Sequence, residues 1–71
     1  MTEQIRAEMV ANVMSVVADE GGGIAEGDTV VILESMKMEI PVLSEYTGVL
    51  TSIAVKPGDV VQEHDLIAVV D

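Results

Sequence analysis

The sequence predicts an all-β domain built from two similar halves that pack face to face. Short runs rich in β-branched residues end in turn signals, as where Val49–Val55 is followed by Lys56-Pro57-Gly58-Asp59. A shift of 37 positions also aligns residues 13–34 with residues 50–71. Two copies are too few for a solenoid, which needs about three or more repeats. Each half is therefore expected to bury the apolar side of the other.

The strands follow from apolar runs that are too short for helices and are bounded by Gly, Asp or Pro. These runs predict strands at residues 29–33, 40–43, 49–55, 60–62 and 66–70.

The N-terminal third carries two conflicting signals. Ile5, Met9, Val13 and Val17 recur at the spacing of an amphipathic helix. The internal repeat favours strands instead, because this stretch aligns with a run that reads plainly as β-structure. We therefore predict strands within Met9–Val17. Residues 1–6 are expected to form a disordered or frayed tail, and residues 7–71 a single domain.

The composition excludes several functional classes. The 71 residues include 13 acidic and 3 basic side chains, for a formal net charge of −10 with histidine neutral, so binding to nucleic acid or to an anionic membrane is not expected. The absence of cysteine excludes disulfides and thiolate zinc sites. Tyr46 is the single aromatic residue, which predicts an aliphatic core. No targeting signal or membrane-spanning run is evident, and we expect a cytoplasmic protein.

The two repeats are joined by the segment Glu34-Ser35-Met36-Lys37-Met38-Glu39, which lies between two strand runs and should form the end of a hairpin. Two-residue hairpin loops favour positive φ and normally contain Gly or Asn. Placing Met36 and Lys37 there would cost about 1–3 kcal/mol. A sequence that accepts this cost is predicted to present the segment for a function. The alternative is that the hairpin has other boundaries.

Lys37 is flanked in sequence by Glu34 and Glu39. A lysine amine is protonated at neutral pH and is a poor nucleophile, so its acylation needs an enzyme that supplies an activated acyl group and removes the proton. Two alternatives assign the segment no function. Lys37 would then be a surface lysine that balances two glutamates, and Met36 and Met38 would fill the core.

This segment resembles the biotin-attachment motif of biotinyl/lipoyl carrier domains, usually written Glu-Ala-Met-Lys-Met. The resemblance covers roughly residues 8–71 and includes the turns Gly27-Asp28 and Gly58-Asp59. The whole chain is similar to small stand-alone biotinylated proteins.

The resemblance implies a flattened barrel, of the hammerhead type, formed by two four-stranded antiparallel sheets related by a pseudo-twofold axis. Lys37 would lie at the tip of a protruding hairpin and carry covalent biotin, with Met36 and Met38 beside the cofactor. A biotin protein ligase would attach the biotin, and Glu34, Ser35 and Glu39 would contribute to its recognition.

The resemblance also implies a non-catalytic carrier. The biotin would carry a carboxyl group for an acyl-CoA or pyruvate carboxylase, with biotin carboxylase and carboxyltransferase subunits as partners. A monomer is expected, and no catalytic or metal-binding residues are predicted. The serines and His64 show no motif that places a nucleophile beside a base.

The chain departs from the family pattern at three places. Ser35 replaces the usual alanine, Gly21-Gly22-Gly23 stands where a Gly-Asp turn is common, and His64 occupies the position equivalent to Gly27. No inserted thumb is evident near the hairpin.

Two other functions remain open. A lipoyl carrier shares the predicted fold but usually has Asp-Lys-Ala around its lysine, which Met36 and Met38 do not match. A biotinylated regulatory, binding or storage protein would carry the same site without serving a carboxylase.

Overall fold

The computed structural model describes residues 2–71, which form eight strands and, within that range, no helix that could span a membrane. The strands are β1 (Glu3–Arg6), β2 (Ala11–Val16), β3 (Gly23–Ile24), β4 (Thr29–Ser35), β5 (Met38–Leu43), β6 (Gly48–Ile53), β7 (Val60–Val61) and β8 (Leu66–Val70).

The strands form two four-stranded antiparallel sheets. One sheet has the order β1-β8-β6-β3 and the other β5-β4-β2-β7. We call the first the terminal sheet, because it contains the first and last strands, and the second the hairpin sheet, because it contains the β4–β5 hairpin. This architecture confirms the predicted fold class.

The two halves are related by the 37-residue shift found in the sequence, and they exchange backbone hydrogen bonds. The Gly21 N–H donates to the Leu50 carbonyl at 2.6 Å, and the equivalent Gly58 N–H donates to the Val13 carbonyl at 2.9 Å. The glycine turn of each half therefore pairs with a strand of the other half, and the two halves interlock. The triple glycine makes the same backbone pairing as the Gly58 turn, although Gly22 lacks the side-chain carboxylate with which the equivalent Asp59 accepts from the Lys56 N–H.

The core between the sheets is aliphatic, as the composition predicts. Its most completely buried side chains come from both sheets and from both repeats; they are Leu33, Leu50, Ile67, Val30, Val31, Val61 and Val70. Tyr46 is half-buried and packs against the edge of this core. The molecule measures 33 × 18 × 17 Å, and residues 34–39 contribute no side chain to the buried core.

The expectation of a frayed N-terminal tail is wrong over Glu3–Arg6, which form strand β1; Met1 lies outside the described residues. Strand β1 pairs with β8, with Ile5 opposite Ala68, and Ile5 is buried. The physical reason is the repeat itself, because residues 3–6 are the 37-residue equivalents of residues 40–43 in β5. Strand β8 needs this edge partner just as β4 needs β5.

The prediction of strands in the N-terminal third is confirmed for Ala11–Val16, while Met9, Val10 and Val17 lie outside strand β2. The helical spacing is overridden because β2 pairs on one side with β4 and on the other with β7. Those ladder hydrogen bonds and the burial of Val13 are available only to an extended chain.

His64 adopts the backbone conformation that its repeat partner Gly27 adopts without strain. The φ angles are 76° at His64 and 92° at Gly27, and both lie in the left-handed region that favours glycine. The His64 N–H donates to the Ala7 carbonyl at 2.8 Å, and the Gly27 N–H donates to the Ser44 carbonyl at 2.8 Å. The turn geometry is thus retained at His64 at a cost of about 1–2 kcal/mol.

Replacing Ile5 by alanine tests whether β1 is part of the folded domain. We expect Ile5→Ala to lower the free energy of unfolding by about 2–4 kcal/mol, because a buried side chain would be truncated. Urea denaturation followed by circular dichroism measures the change. Gln4→Ala, on the exposed side of the same strand, is the control and should change stability by less than about 0.5 kcal/mol. Equal small effects at both positions would show that β1 contributes little.

Candidate functional site

The segment that joins the repeats is a two-residue hairpin, as the sequence predicts. Ser35 pairs with Met38 and Glu34 with Glu39, which leaves Met36 and Lys37 as the loop. Their φ angles are 53° and 64°, the positive pair that a type I′ turn requires. The two strands reach the turn in register, so they impose this conformation on residues that do not favour it.

The hairpin extends beyond the core. Leu33 is the last fully buried residue of β4 before the turn, and it pairs with the half-buried Ile40. Farther along, Met36 is 91% exposed and Met38 is 64% exposed. The alternative in which these methionines fill the core is therefore wrong. Two large apolar side chains in water beside one lysine make up an exposed patch that has no role in packing.

The Lys37 side chain is exposed at the tip of the hairpin. Among residues 2–71 the only contact with ion-pair geometry joins Glu63 and His64, at 3.7 Å, so neither Glu34 nor Glu39 forms a salt bridge with Lys37. The interpretation of Lys37 as one half of a surface ion pair has no support in the geometry.

Glu34 and Glu39 lie directly opposite each other across β4 and β5, with both side chains exposed. Like charges at opposed positions weaken a strand pair. The pairing also brings Asn12 of β2 opposite Glu34, and Val60 of β7 opposite Asn12. The sequence did not place Asn12 and Val60 near the hairpin, because only the order of the strands in the sheet brings them there.

The other lysine, Lys56, lies in the turn before β7, outside the hairpin. Its backbone N–H donates to the Asp59 side chain at 3.1 Å, which is the hydrogen bond of a tight turn. All six candidate residues, from Glu34 to Glu39, are thus contiguous in one exposed hairpin, and Lys37 is the lysine at its tip.

Comparison with known proteins identifies the family. The family model described as biotin-requiring enzyme matches residues 3–70. The chain therefore belongs to this family of biotin/lipoyl attachment domains, which confirms the resemblance predicted from the motif. The match begins at residue 3, where β1 begins in the structure.

The chain is 59% identical over 71 residues to the biotinylated protein TB7.3 homolog of Mycolicibacterium smegmatis, with 100% of both chains covered. It is 36% identical over 66 residues to the biotin-dependent acyl-coenzyme A carboxylase alpha3 subunit of Mycobacterium leprae, which covers 93% of this chain and 11% of that protein. Among solved structures, the urea carboxylase of Kluyveromyces lactis superposes with a TM-score of 0.93 at 34% identity, covering 100% of this chain and 6% of that one.

Replacing Met36 by asparagine tests whether the turn is strained. We expect Met36→Asn to raise the free energy of unfolding by about 0.5–1 kcal/mol, because asparagine tolerates positive φ better than methionine does. Urea denaturation measures the change. The matched control is Met38→Asn, which makes the same substitution in strand β5, where asparagine is disfavoured and stability should not rise. Destabilisation by Met36→Asn would contradict the strain at this turn.

Proposed function

We propose that Lys37 is the residue to which biotin is covalently attached, and that the chain acts as a biotin carrier. The observation that carries the proposal is the position of Lys37, an exposed lysine held at a positive φ in the tip of a hairpin that projects past the core. No folding requirement explains a lysine there, since asparagine or glycine would suit the turn better.

The attachment step is an acyl transfer carried out by a separate biotin protein ligase. The Lys37 nitrogen attacks the carbonyl of biotinyl-adenylate and an amide C–N bond forms. The bond between the acyl carbon and the phosphate oxygen breaks, and AMP leaves with that oxygen and the electron pair. The ligase must accept the proton, because among residues 2–71 no carboxylate lies within ion-pair distance of the Lys37 amine. Amide formation removes the lysine charge, so the formal net charge changes from −10 to −11.

The neighbouring residues present the lysine to its partners. Met36 and Met38 offer exposed, flexible apolar surface on either side of Lys37, suited to contact with a ligase pocket and later with the biotin rings. At the base of the hairpin, the carboxylates of Glu34 and Glu39 provide negative charge, and the small side chain of Ser35 leaves space for a partner's surface. The chain binds its partners and positions Lys37 with the attached biotin, and the chemical steps take place in other proteins.

The bound biotin would supply a carrier for a carboxyl group in a biotin-dependent carboxylase. Support comes from the similarity to a carboxylase subunit and to a urea carboxylase, whose matching regions form small parts of much longer chains. A tethered arm raises the effective concentration of its cofactor at both reaction sites. The acceptor, whether an acyl-CoA, pyruvate or another small acid, would be set by the carboxylase. A regulatory or storage role for the biotinylated chain is the second candidate.

Mutation of Lys37 tests the attachment site. After incubation with a biotin protein ligase, biotin and ATP, we expect intact-mass spectrometry to show one added biotin per chain, and Lys37→Arg to show none. Arginine keeps the charge but is not an acylation target under these conditions. The matched control is Lys56→Arg, which should be biotinylated like the wild type. Full modification of Lys37→Arg would refute the assignment.

Transfer of carboxyl groups tests the carrier role separately. With a purified biotin carboxylase, ATP and ¹⁴C-bicarbonate, we expect label on the biotinylated chain and none on the unmodified chain. Biotinylated protein that stays unlabelled with carboxylases of both the acyl-CoA and the pyruvate type would favour the regulatory or storage role.

A further inference from the structure

The two sheets have equivalent strand arrangements. A comparison of their equivalent positions therefore distinguishes residues that the fold requires from residues that have another role. The outer side of the hairpin sheet carries Met14, Ile32, Pro41 and Val60, and we call these four residues the hairpin-sheet face. Met14, Ile32 and Val60 have buried strand neighbours, namely Val13, Leu33, Val31 and Val61, so strand alternation places these three on the opposite side. Pro41 lies directly opposite Ile32 in the register and shares its side.

At these four positions the terminal sheet, 37 residues away, carries a more polar or smaller residue, while at the neighbouring outer position the relation is reversed, since Asn12 corresponds to the exposed Val49. Met14 corresponds to Thr51, Pro41 to Gln4 and Val60 to Gly23, while Ile32 corresponds to the smaller Val69. Met14 is 46% exposed and Val60 is 61% exposed. The same fold is thus built without apolar side chains at three of these positions. The requirements of folding therefore do not account for the apolar side chains of Met14, Pro41 and Val60.

The hairpin-sheet face is continuous with the Lys37 hairpin. The register runs from Val60 across Asn12 and Glu34 to Glu39 in one row, and Ile32 lies opposite Pro41 in the row behind it. At about 3.3 Å per residue, the two rows lie roughly 10 and 17 Å from Lys37 along β4. A protein interface of about 800 Å² per partner has a radius of roughly 16 Å, so one centred on Lys37 covers the nearer row, which contains Val60, and ends at about the row of Ile32 and Pro41.

We propose that the hairpin-sheet face is a docking surface for the biotin protein ligase, which would bind it with an apolar patch flanked by basic residues. The proposal rests on the proposed function of Lys37. A free lysine side chain is only four methylenes long, so the ligase must bring its surface against the hairpin and the adjoining sheet to reach the amine. Once biotin is attached, the arm extends farther from the protein surface. Proteins that act on the biotin afterwards therefore depend less on contact with the hairpin-sheet face. The opposed Glu34 and Glu39 supply the negative charge that complements basic residues at the rim.

Substitutions that make the hairpin-sheet face resemble the terminal sheet test the docking surface. Using a bacterial biotin protein ligase that modifies the wild-type chain, we expect the triple variant Met14→Thr, Pro41→Gln and Val60→Thr to raise KM for the carrier about tenfold with kcat within twofold. Two of these changes install the residues found at the equivalent positions. The urea midpoint of the variant should match that of the wild type.

The matched control is Val49→Thr, which makes the same chemical change as Val60→Thr at a 45% exposed position on the outer side of the terminal sheet. Its KM should be unchanged. If the triple variant is destabilised, Met14→Thr and Val60→Thr are measured singly, and each should raise KM about twofold.

An unchanged KM in a folded triple variant overturns the docking surface, and so does a rise in KM of equal size in Val49→Thr. A fall in kcat without a change in KM also overturns it, since the residues would then act on the lysine and not on binding. Dimers of the wild type by sedimentation that become monomers in the triple variant would assign the face to a second copy. Failure of the wild type to accept biotin at Lys37 removes the proposed function, and the docking surface with it.

Discussion

The exchange of backbone hydrogen bonds between the two repeats is the interaction on which the rest of the structure depends. Each half supplies a glycine turn that pairs with a strand of the other half, as at Gly21 with Leu50 and Gly58 with Val13. A unit of about 35 residues cannot bury enough apolar surface to fold alone. The interlocked pair creates one shared aliphatic core, in which Leu33 and Leu50 are buried, one from each repeat.

This scaffold allows the hairpin to hold an unfavourable conformation. Met36 and Lys37 both adopt positive φ, at a cost that an isolated two-stranded hairpin could not sustain. Strand β4 is anchored on its other side by β2, and β5 is paired along its length from Met38 to Leu43. The paired strands therefore fix the turn, and the lysine is presented at one defined place on the surface.

Internal symmetry also separates structure from function in this molecule. Positions that serve the fold keep their character in both repeats, as Val13 and Leu50 do in the core. His64 shows that even a turn conformation is retained when its glycine is lost, because the His64 N–H still bonds across the two halves. The outer sides of the two sheets differ for another reason: Met14, Pro41 and Val60 of the hairpin sheet correspond to Thr51, Gln4 and Gly23, while Asn12 corresponds to Val49.

The sequence alone determined the class of fold, the aliphatic core, the hairpin and the lysine at its tip, because these depend on local turn chemistry, on composition and on a repeat visible in one dimension. Sequence reasoning went wrong at Glu3–Arg6, where a short polar stretch with one apolar residue reads as a tail until its repeat partner in β5 is considered. Tertiary structure alone decided the order of the strands, and so brought Asn12 and Val60 beside Glu34. It also decided that the methionines of the motif are exposed. The physical reason is that strand pairing joins residues distant in the chain, so a linear pattern shows which residues form a strand and not which surface they share.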